Sequence, residues 1–502
     1  MFRNIFMGCA LVCCGLSLSA QSVSEGLLYG MDQSYGTARY RGLSGAFGAL
    51  GGDLSAMGVN PAGSTVFANH YASFSAAFDY NNNESLYENT LTGADDLDLS
   101  INQVGAVFVF EDSSAPLNKF SIGLNYDSTR NFSDERHLRG VSDTSISQYF
   151  VANANSVPLI DLILLPEDFV SDRFIALGET PGFGLPAQIG FLGLNSDLIT
   201  PLDSADDNIE YLSNTGTGNF NQTQRILSDG YNGKFTINGA IELHERFSFG
   251  LNLNIHSLRR DRLTDFSESN SNTDAFIQDV RYRDSVTSEG SGFSLNLGTL
   301  IKITNSLRVG LAYQSPTWYS IEDSQSLRIR TDDGVEAVTI APDVLTLYPA
   351  YNLRIPGNWT GSLAYVFGSK GLISFDVESK DYSKLQFEQN TDALFTLNNQ
   401  FIDDNLQNAL TYRLGAEYRI KNFSLRGGYM MSESPYENED FMSELTGYSL
   451  GLGYNLGRTV FDISYATSER DYASQLFNSD FLGTSTVTNR FTNVVFTVGF
   501  NF

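Results

Sequence analysis

Cysteine is scarce in this sequence: the chain has three, all within the first 14 residues. That stretch has a basic residue near its start, an apolar core from Ile5 to Leu18 and small residues before Gln21. This pattern predicts a secretory signal peptide over residues 1–20. A membrane anchor is the alternative, but the apolar core is too short to span a bilayer comfortably. We therefore expect an exported chain without disulfides, thiolate metal sites or a cysteine nucleophile. The three cysteines are Cys9, Cys13 and Cys14.

Positive charge is also scarce, because 58 acidic residues against 31 basic ones give a formal net charge of −27. This balance argues against nucleic-acid binding, which requires basic surfaces. Beyond the signal segment no stretch approaches 18 consecutive apolar residues, so the sequence predicts no transmembrane helix. An exported chain of this kind can still enter a membrane as a closed barrel.

Aromatic residues are abundant, with 36 Phe and 25 Tyr, and they recur in a period-two pattern. In one segment the apolar residues Phe247, Phe249, Leu251, Leu253 and Ile255 alternate with Ser248, Gly250, Asn252, Asn254 and His256. Such alternation places the two sets on opposite faces of a strand. A soluble antiparallel sandwich with one wet face has the same pattern, so alternation alone does not decide the architecture.

The lengths of the connections do decide it. Tight links such as 244–246, 304–306 and 421–422 alternate with long polar ones such as 259–289 and 318–353. Short turns on one rim and long loops on the other are typical of an outer-membrane barrel. We predict an all-β fold, a transmembrane antiparallel β-barrel of about 14 strands, with residues 81–98 and 132–229 as connections. The predicted strands are 70–80, 99–110, 119–131, 230–244, 246–258, 290–303, 307–317, 354–367, 372–382, 409–420, 423–431, 444–455, 459–468 and 489–502.

The segment 39–63, ahead of the first strand, is rich in Gly and Ala and predicts a compact plug inside the barrel. Asn60-Pro61-Ala62-Gly63 suits a type I turn, and Asp53 is placed to cap a short helix over residues 54–57. A flexible linker is the alternative, but the segment contains large apolar anchors that linkers lack. These anchors are Leu43, Phe47, Leu50, Leu54 and Met57. The predicted organisation is a plug over residues 21–68 and a barrel over residues 69–502.

The order of a signal peptide, the segment GLSGAFGALGGDLSAMGVNPAG and alternating strands to a terminal Phe resembles FadL/TodX-type transporters. The matching plug (hatch) positions are Gly42, Gly45, Ala46, Gly51, Asp53, Asn60, Pro61, Ala62 and Gly63. The resemblance implies a fourteen-stranded barrel in the cell outer membrane with its N-terminal segment folded inside. It also implies transport of hydrophobic molecules such as long-chain fatty acids or aromatic hydrocarbons.

The last strand alternates to the C-terminus and resembles the signal that barrel proteins present for membrane insertion. Its aromatic positions are Phe496, Phe500 and Phe502. We expect a monomer that meets the barrel-assembly machinery during insertion, then outer-membrane lipid and lipopolysaccharide. An ordinary buried last strand is the alternative.

No motif for catalysis, metal binding or a cofactor is recognised, and the four histidines form no i,i+4 pair. We therefore expect no enzyme, no cofactor and no metal site, with acidic pairs such as Asp206-Asp207 solvated. The leading function is passive uptake of a hydrophobic solute, captured near loop 132–229 and gated by the plug. One alternative is a porin for hydrophilic solutes, which the lumen charges Lys302, Arg308, Arg413, Glu417 and Arg426 would suit. The other is an adhesin or complex subunit anchored by the barrel. A further hypothesis pairs Arg39 and Arg41 with lumen carboxylates.

Overall fold

The computed structural model describes residues 21–31, 33, 35–111, 117–180, 183–388, 393–478 and 483–502. The predicted signal peptide lies outside the described residues. The strands are β1 (Tyr71–Tyr87), β2 (Thr90–Glu111), β3 (Leu117–Asn131), β4 (Asp134–Ser142), β5 (Ile199–Pro201), β6 (Tyr211–Ser213), β7 (Phe220–Leu243), β8 (Phe247–Asn270), β9 (Asp279–Lys302), β10 (Leu307–Gln314), β11 (Thr317–Asp332), β12 (Ala337–Ile340), β13 (Thr346–Leu347), β14 (Tyr351–Ile355), β15 (Asn358–Val366), β16 (Gly371–Asp381), β17 (Gln386–Phe387), β18 (Asn408–Ile420), β19 (Phe423–Ser432), β20 (Leu445–Asn455), β21 (Thr459–Gln475) and β22 (Thr484–Asn501).

The helices are short and lie between or before the strands. They are α1 (Val23–Gly30), α2 (Ala38–Arg41), α3 (Ala56–Val59), α4 (Ser147–Ala154), α5 (Leu159–Leu162), α6 (Val170–Glu179), α7 (Gly184–Asn195) and α8 (Ala393–Asn405). Three 3-10 helices span Pro61–Val66, Tyr382–Lys384 and Leu476–Asn478. Among the described residues, no helix is long and apolar enough to cross a membrane.

The strands close into one antiparallel barrel, because the first pairs with the last from Tyr71↔Asn501 to Leu86↔Thr486. Four strands of the wall are interrupted. β3 and β4 both pair with β7, and β10 and β11 both pair with β9. The short strands β12 to β15 follow one another along β11 and β10, and β16 and β17 follow one another along β15 and β14. With these counted as single strands the wall has the fourteen strands that the sequence predicts.

The predicted alternation separates the inside of the barrel from the outside. On β8, Phe249 and Leu251 are 45% and 43% exposed, whereas Asn252 and Asn254 are buried. At the C-terminal end of β22, Phe496 and Phe500 likewise face outwards, as does Phe502 just beyond it. The exterior therefore carries an apolar band, and the lumen side of the wall is polar.

The wall rises further above this band than predicted, and several predicted connections are partly or wholly wall. The predicted link 259–289 is mostly strand, because β8 runs to Asn270 and β9 begins at Asp279, and the predicted link 318–353 contains most of β11. Residues 81–98 belong to β1 and β2, which turn only around Glu88 and Asn89, both with positive φ. The stretch is polar because Asn83 and Ser85 are buried inside, while Leu91 and Leu97 keep the period-two pattern outside. A strand with a polar inner face has a low average hydrophobicity, so a reading based on hydrophobicity takes it for a loop.

The predicted connection 132–229 is also partly wall, because β4 opens it and β7 already begins at Phe220. Between them, helices α4 to α7 form a cap with its own core over the long-loop end of the barrel. Phe150, Phe174 and Phe191 are almost fully buried in that core, which also includes Phe266 and Tyr282 of the wall. The apolar run 157–166 forms only the single turn α5.

Candidate functional site: a plugged lumen below an amphipathic cavity

The small-residue segment lies inside the barrel, in the half nearer the short turns. Helix α2 packs on β20, β21 and β22, while the 3-10 helix Pro61–Val66 packs on β3, β7, β8 and β9. These two groups of strands lie apart around the wall, so the segment spans the lumen. Its five apolar anchors are all buried, at no more than 3% exposure: Leu43, Phe47, Leu50, Leu54 and Met57. We call residues 35–67 the plug.

The Asn60–Gly63 turn fastens the plug to itself and to the wall. The Gly63 N–H donates to the Asn60 carbonyl oxygen over 2.9 Å, and the turn continues as a 3-10 helix. The Asn60 side-chain amide donates to the carbonyl oxygens of Gly48 at 2.7 Å and Thr299 at 2.9 Å. Asn60 therefore links the turn to another part of the plug and to β9 through the two donors of its amide group.

Asp53 contributes a capping hydrogen bond and a tertiary one. Its Oδ1 accepts from the backbone N–H of Ser55 at 3.0 Å, the bond expected of a capping residue. The regular helix, however, is α3, which begins at Ala56, two residues later than predicted. The second oxygen accepts from Thr37 Oγ1 at 2.7 Å. This contact ties the two halves of the plug together and has no signal in the local sequence.

Small residues recur in the plug where backbone meets backbone. Gly51 has a φ of +61°, and a Cβ atom there would lie 2.6 Å from the Gly63 carbonyl oxygen. Gly45 has a φ of +77° and lies against the Tyr40 ring. Ala46 and Ala62 are completely buried. A Cβ atom therefore has no room at Gly51, and Ala46 and Ala62 have no exposed surface.

The wall carries a matching set of glycines, which we call the glycine belt. A Cβ atom at Gly250 would lie 2.3 Å from the Pro61 carbonyl carbon, and one at Gly298 would lie 2.1 Å from Asn60 Oδ1. Real Cβ atoms do not approach other atoms so closely, so these strand positions have to be glycine while the plug is in place. The glycine belt comprises Gly250, Gly298, Gly310, Gly415, Gly428 and Gly451, each facing plug atoms.

An ion-pair network joins the plug to the wall, as the hypothesis about Arg39 proposes. Arg39 Nε lies 3.2 Å from Glu417 Oε2, and the same oxygen accepts from Arg426 Nε at 2.7 Å. Arg426 also reaches Asp462 at 2.6 Å. The Glu417 side chain has no exposed surface. Arg419 of the wall also pairs with the Glu417 carboxylate, at 2.6 Å. Removing a partner from a buried ion cluster is destabilising, so the contact with Arg39 helps to hold the plug in place.

Arg41 differs from the hypothesis, because it makes no ion pair with a described residue. Its Nε donates to Asn493 Oδ1 at 3.2 Å. The Asn493 amide in turn donates to Asp79. The carboxylate is therefore reached through a neutral amide, and we expect a weaker electrostatic contribution from Arg41 than from Arg39.

The other lumen charges named in the sequence analysis are engaged with the wall or with the plug. Lys302 pairs with Glu242 at 2.6 Å, and Arg413 pairs with Glu378 at 2.7 Å. Arg308 donates to the Leu50 carbonyl oxygen of the plug at 3.0 Å. Because these charges are used in contacts within the protein, they no longer favour the alternative of a porin for hydrophilic solutes.

Above the plug lies a cavity of about 1580 Å³. Its floor includes Tyr40 and Val59 of the plug, and its roof includes Phe183 and Ile189 of the helical cap. Helices α1 and α8 contribute to its sides. Apolar and charged side chains share the lining, so the cavity is amphipathic.

Helix α1 is held in this cavity by a buried ion cluster. Glu25 accepts from Arg260 and, at 2.7 Å, from Arg262 Nη1. Burial alone raises the pKa of Glu25, but the two guanidinium groups outweigh burial and hold the pKa below its usual range. A local sequence signal for this helix is present, although the predicted elements do not include the helix. Ser22 and Glu25 have the spacing of a capping box, and the Ser22 hydroxyl accepts from the Glu25 N–H.

The histidines do not form a site. His256 is buried in the lumen, where its Nε2 lies 2.9 Å from Ser294 Oγ and its ring contacts Tyr319. His244 lies in a short turn with a positive φ. No group of three or more potential metal ligands occurs among the residues that the structure describes.

The comparison with known proteins gives a family and a fold. A family model described as "Outer membrane protein transport protein (OMPP1/FadL/TodX)" matches residues 219–502, more than half of the chain. No curated protein matches the sequence.

Three solved structures share the fold at low sequence identity. A Pseudomonas aeruginosa FadL homologue is 13% identical, covers 94% of this chain and 100% of its own, and has a TM-score of 0.53. The CymD monoaromatic hydrocarbon channel is 13% identical, with coverage of 93% and 98% and a TM-score of 0.50. The P. putida toluene transporter TodX is 12% identical, with coverage of 94% and 99% and a TM-score of 0.50. The fourteen-stranded barrel, its outward apolar band and the family match agree, and the chain belongs to the OMPP1/FadL/TodX family of outer membrane transport proteins.

Proposed function

We propose that this protein takes up hydrophobic small molecules, such as long-chain fatty acids, by passive diffusion gated by the plug. The observation that carries the proposal is the vertical order of the lumen: an amphipathic cavity on the long-loop side and a docked plug on the short-turn side. A solute that enters the cavity from outside meets α1 and then the plug before it reaches the short-turn rim.

The helical cap supports the capture step of this proposal. Phe169 is 73% exposed at the start of α6, and Ile160, Ile163 and Leu165 are exposed beside it. Contiguous apolar side chains on a surface favour contact with an apolar ligand. The cap lies within residues 132–229, the region that the sequence analysis assigns to capture, and it forms part of the cavity roof.

The gating step is supported by the way in which the plug is held. The plug meets the wall through polar contacts, ion pairs and the glycine belt rather than through a covalent bond. Such contacts can be broken and remade together, which a gate requires. Neutral aromatic hydrocarbons and acidic amphiphiles both remain candidates at this level, because apolar contacts alone discriminate weakly between them.

Conductance and uptake measurements together test the proposal. The intact protein in a planar bilayer is expected to lack a large, constant conductance, whereas a variant that lacks residues 21–68 behind its signal peptide conducts ions. In liposomes, the intact protein is expected to accelerate entry of a fluorescent fatty acid. A large constant conductance of the intact protein contradicts the proposal and favours a porin.

A further inference from the structure

We propose that Arg470 binds the anionic head group of an amphiphilic ligand in the cavity, an inference that rests on the uptake function proposed above. Arg470 lies on β21 and lines the cavity. One of its terminal nitrogens, Nη1, contacts the thioether sulfurs of Met442 at 3.2 Å and of Met31 at 3.4 Å. Thioether sulfur is only a weak acceptor.

Arg470 has no carboxylate within 4.0 Å among the described residues, and its buried Nε has no hydrogen-bond partner there. Other lumen arginines are different: Arg413 pairs with Glu378 and Arg426 pairs with both Glu417 and Asp462. A partly buried cation that lacks a counter-ion is unfavourable. A ligand that brings its own negative charge relieves this cost.

Two further arginines strengthen the positive field at this point. Arg130 Nη1 donates to the Met31 carbonyl oxygen at 2.8 Å, so Arg130 and Arg470 approach the same residue from different strands. Arg136 also lines the cavity, with its guanidinium 5.9 Å from the Tyr472 ring centre. Arg136 Nε also lies 3.5 Å from the Asp134 carboxylate, which offsets part of its charge. Like charges around one cavity wall favour an anion between them.

The surroundings of Arg470 also suit the rest of an amphiphile. Met31 and Met442 cover one side of its guanidinium, and further apolar side chains line the same cavity. These include Leu28, Phe401, Tyr436, Phe441 and Leu445. Methionine side chains adapt readily to flexible chains. A carboxylate, sulfate or phosphate head group on a hydrocarbon tail therefore matches the site, whereas a neutral hydrocarbon leaves Arg470 without a counter-ion.

The test compares an acid with its neutral analogue on three variants. The protein in lipid nanodiscs is titrated with dodecanoate and with dodecanol, each as a competitor of a bound fluorescent fatty acid. Using the acid-to-alcohol affinity ratio of each variant relative to wild type cancels partitioning into the lipid. Arg470→Gln removes the charge, Arg470→Lys keeps it, and Arg490→Gln is the matched control. Arg490 is an exposed arginine on the adjacent strand, paired with Glu469 at 2.5 Å.

Arg470→Gln is expected to lower the affinity for dodecanoate about tenfold, as for loss of a hydrogen bond to a charged group. The same substitution is expected to change the affinity for dodecanol by less than about twofold. Arg470→Lys restores part of the acid preference, and Arg490→Gln leaves both affinities unchanged. Equal loss of both ligands with Arg470→Gln, or no loss of dodecanoate, overturns the inference. The proposed uptake function is contradicted separately, if wild-type protein accelerates entry of neither ligand into liposomes. If the protein accelerates entry of both ligands but Arg470→Gln has no effect, only the head-group inference is contradicted.

Discussion

Replacing one glycine of the belt by alanine is expected to release the plug without unfolding the barrel. At Gly250 the added Cβ atom lies 2.3 Å from the Pro61 carbonyl carbon and 2.4 Å from the Ala62 nitrogen. Both atoms belong to the backbone of the plug, so no side chain can rotate away. Overpacking of this kind costs about 1–3 kcal/mol.

A control position in the same wall, Gly239, is expected to show the opposite effect of a glycine-to-alanine substitution on stability. Gly239 lies on the adjacent strand β7, and a Cβ atom there meets nothing within 4 Å. Alanine in a strand interior is favoured over glycine by about 0.5–1 kcal/mol, so Gly239→Ala is expected to be neutral or stabilising. In Gly250→Ala this gain is present whether the plug is docked or released, so it does not offset the clash, and docking of the plug is weakened by the full overpacking cost of about 1–3 kcal/mol, a factor of about 5–150 in its opening equilibrium.

Hydrogen exchange measures this equilibrium directly. The Gly52 N–H donates to Gly63 and the Gly63 N–H donates to Asn60, so both amides report on the plug. In Gly250→Ala these amides are expected to exchange about 5–150 times faster, while amides of β7 and β8 keep their protection. Equal exchange of the plug in Gly250→Ala and Gly239→Ala would refute the close-packing argument.

Other contacts of the N-terminal segment give further predictions. Glu417→Gln removes the charge that Arg39, Arg419 and Arg426 share, although Arg426 keeps Asp462. It is expected to raise plug exchange, since breaking a buried pair costs up to about 3–5 kcal/mol; unchanged exchange would contradict this. Arg39→Gln is expected to loosen the plug more than Arg41→Gln, because Arg39 pairs with a carboxylate whereas Arg41 donates to the neutral amide of Asn493, and equal effects would argue against a charge-based contact. Glu25→Gln is expected to release α1 from Arg260 and Arg262, detected as faster proteolysis within Val23–Gly30. In the unmodified protein the depressed pKa of Glu25 stabilises this docking above the usual value of 4.5, and the docking is lost only as pH falls through the lower folded value. Release of α1 above pH 4.5 would contradict this assignment.

The sequence predicts the barrel well, because lipid exposure enforces a strict alternation along each strand. The number of strands, the outward face of β8 and the final aromatic positions all follow from that periodicity. Strand ends above the apolar band are harder to predict, since both faces of β1 and β2 become more polar there. Residues such as Asn83 and Asp96 then resemble a loop, although their backbone is still paired.

The plug is predicted in place but only partly in detail. Its glycines and the Asn60–Gly63 turn are local features, which a sequence shows directly. The partners are not local: Arg39 meets Glu417 and Asn60 meets Thr299 only after the chain has closed into a barrel. The same holds for Gly250 and Gly298, which look like weak strand residues until the plug fills the lumen.

Cross-linking the plug to the wall tests the central proposal, gating by the plug. The hydroxyl oxygens of Ser44 and Ser449 lie 2.8 Å apart, one on the plug and one on β20. The double variant Ser44→Cys, Ser449→Cys is therefore placed to form a disulfide. Ser285→Cys with Ser326→Cys, directly opposed on β9 and β11, links two wall strands without reaching the plug.

The decisive measurement is the rate of fatty-acid entry into liposomes for each double variant, oxidised and then reduced. If the plug is the gate, the oxidised Ser44→Cys, Ser449→Cys protein loses uptake and regains it on reduction, while the wall-linked control is active in both states. Uptake that continues at the full rate with the plug cross-linked would contradict gating by the plug.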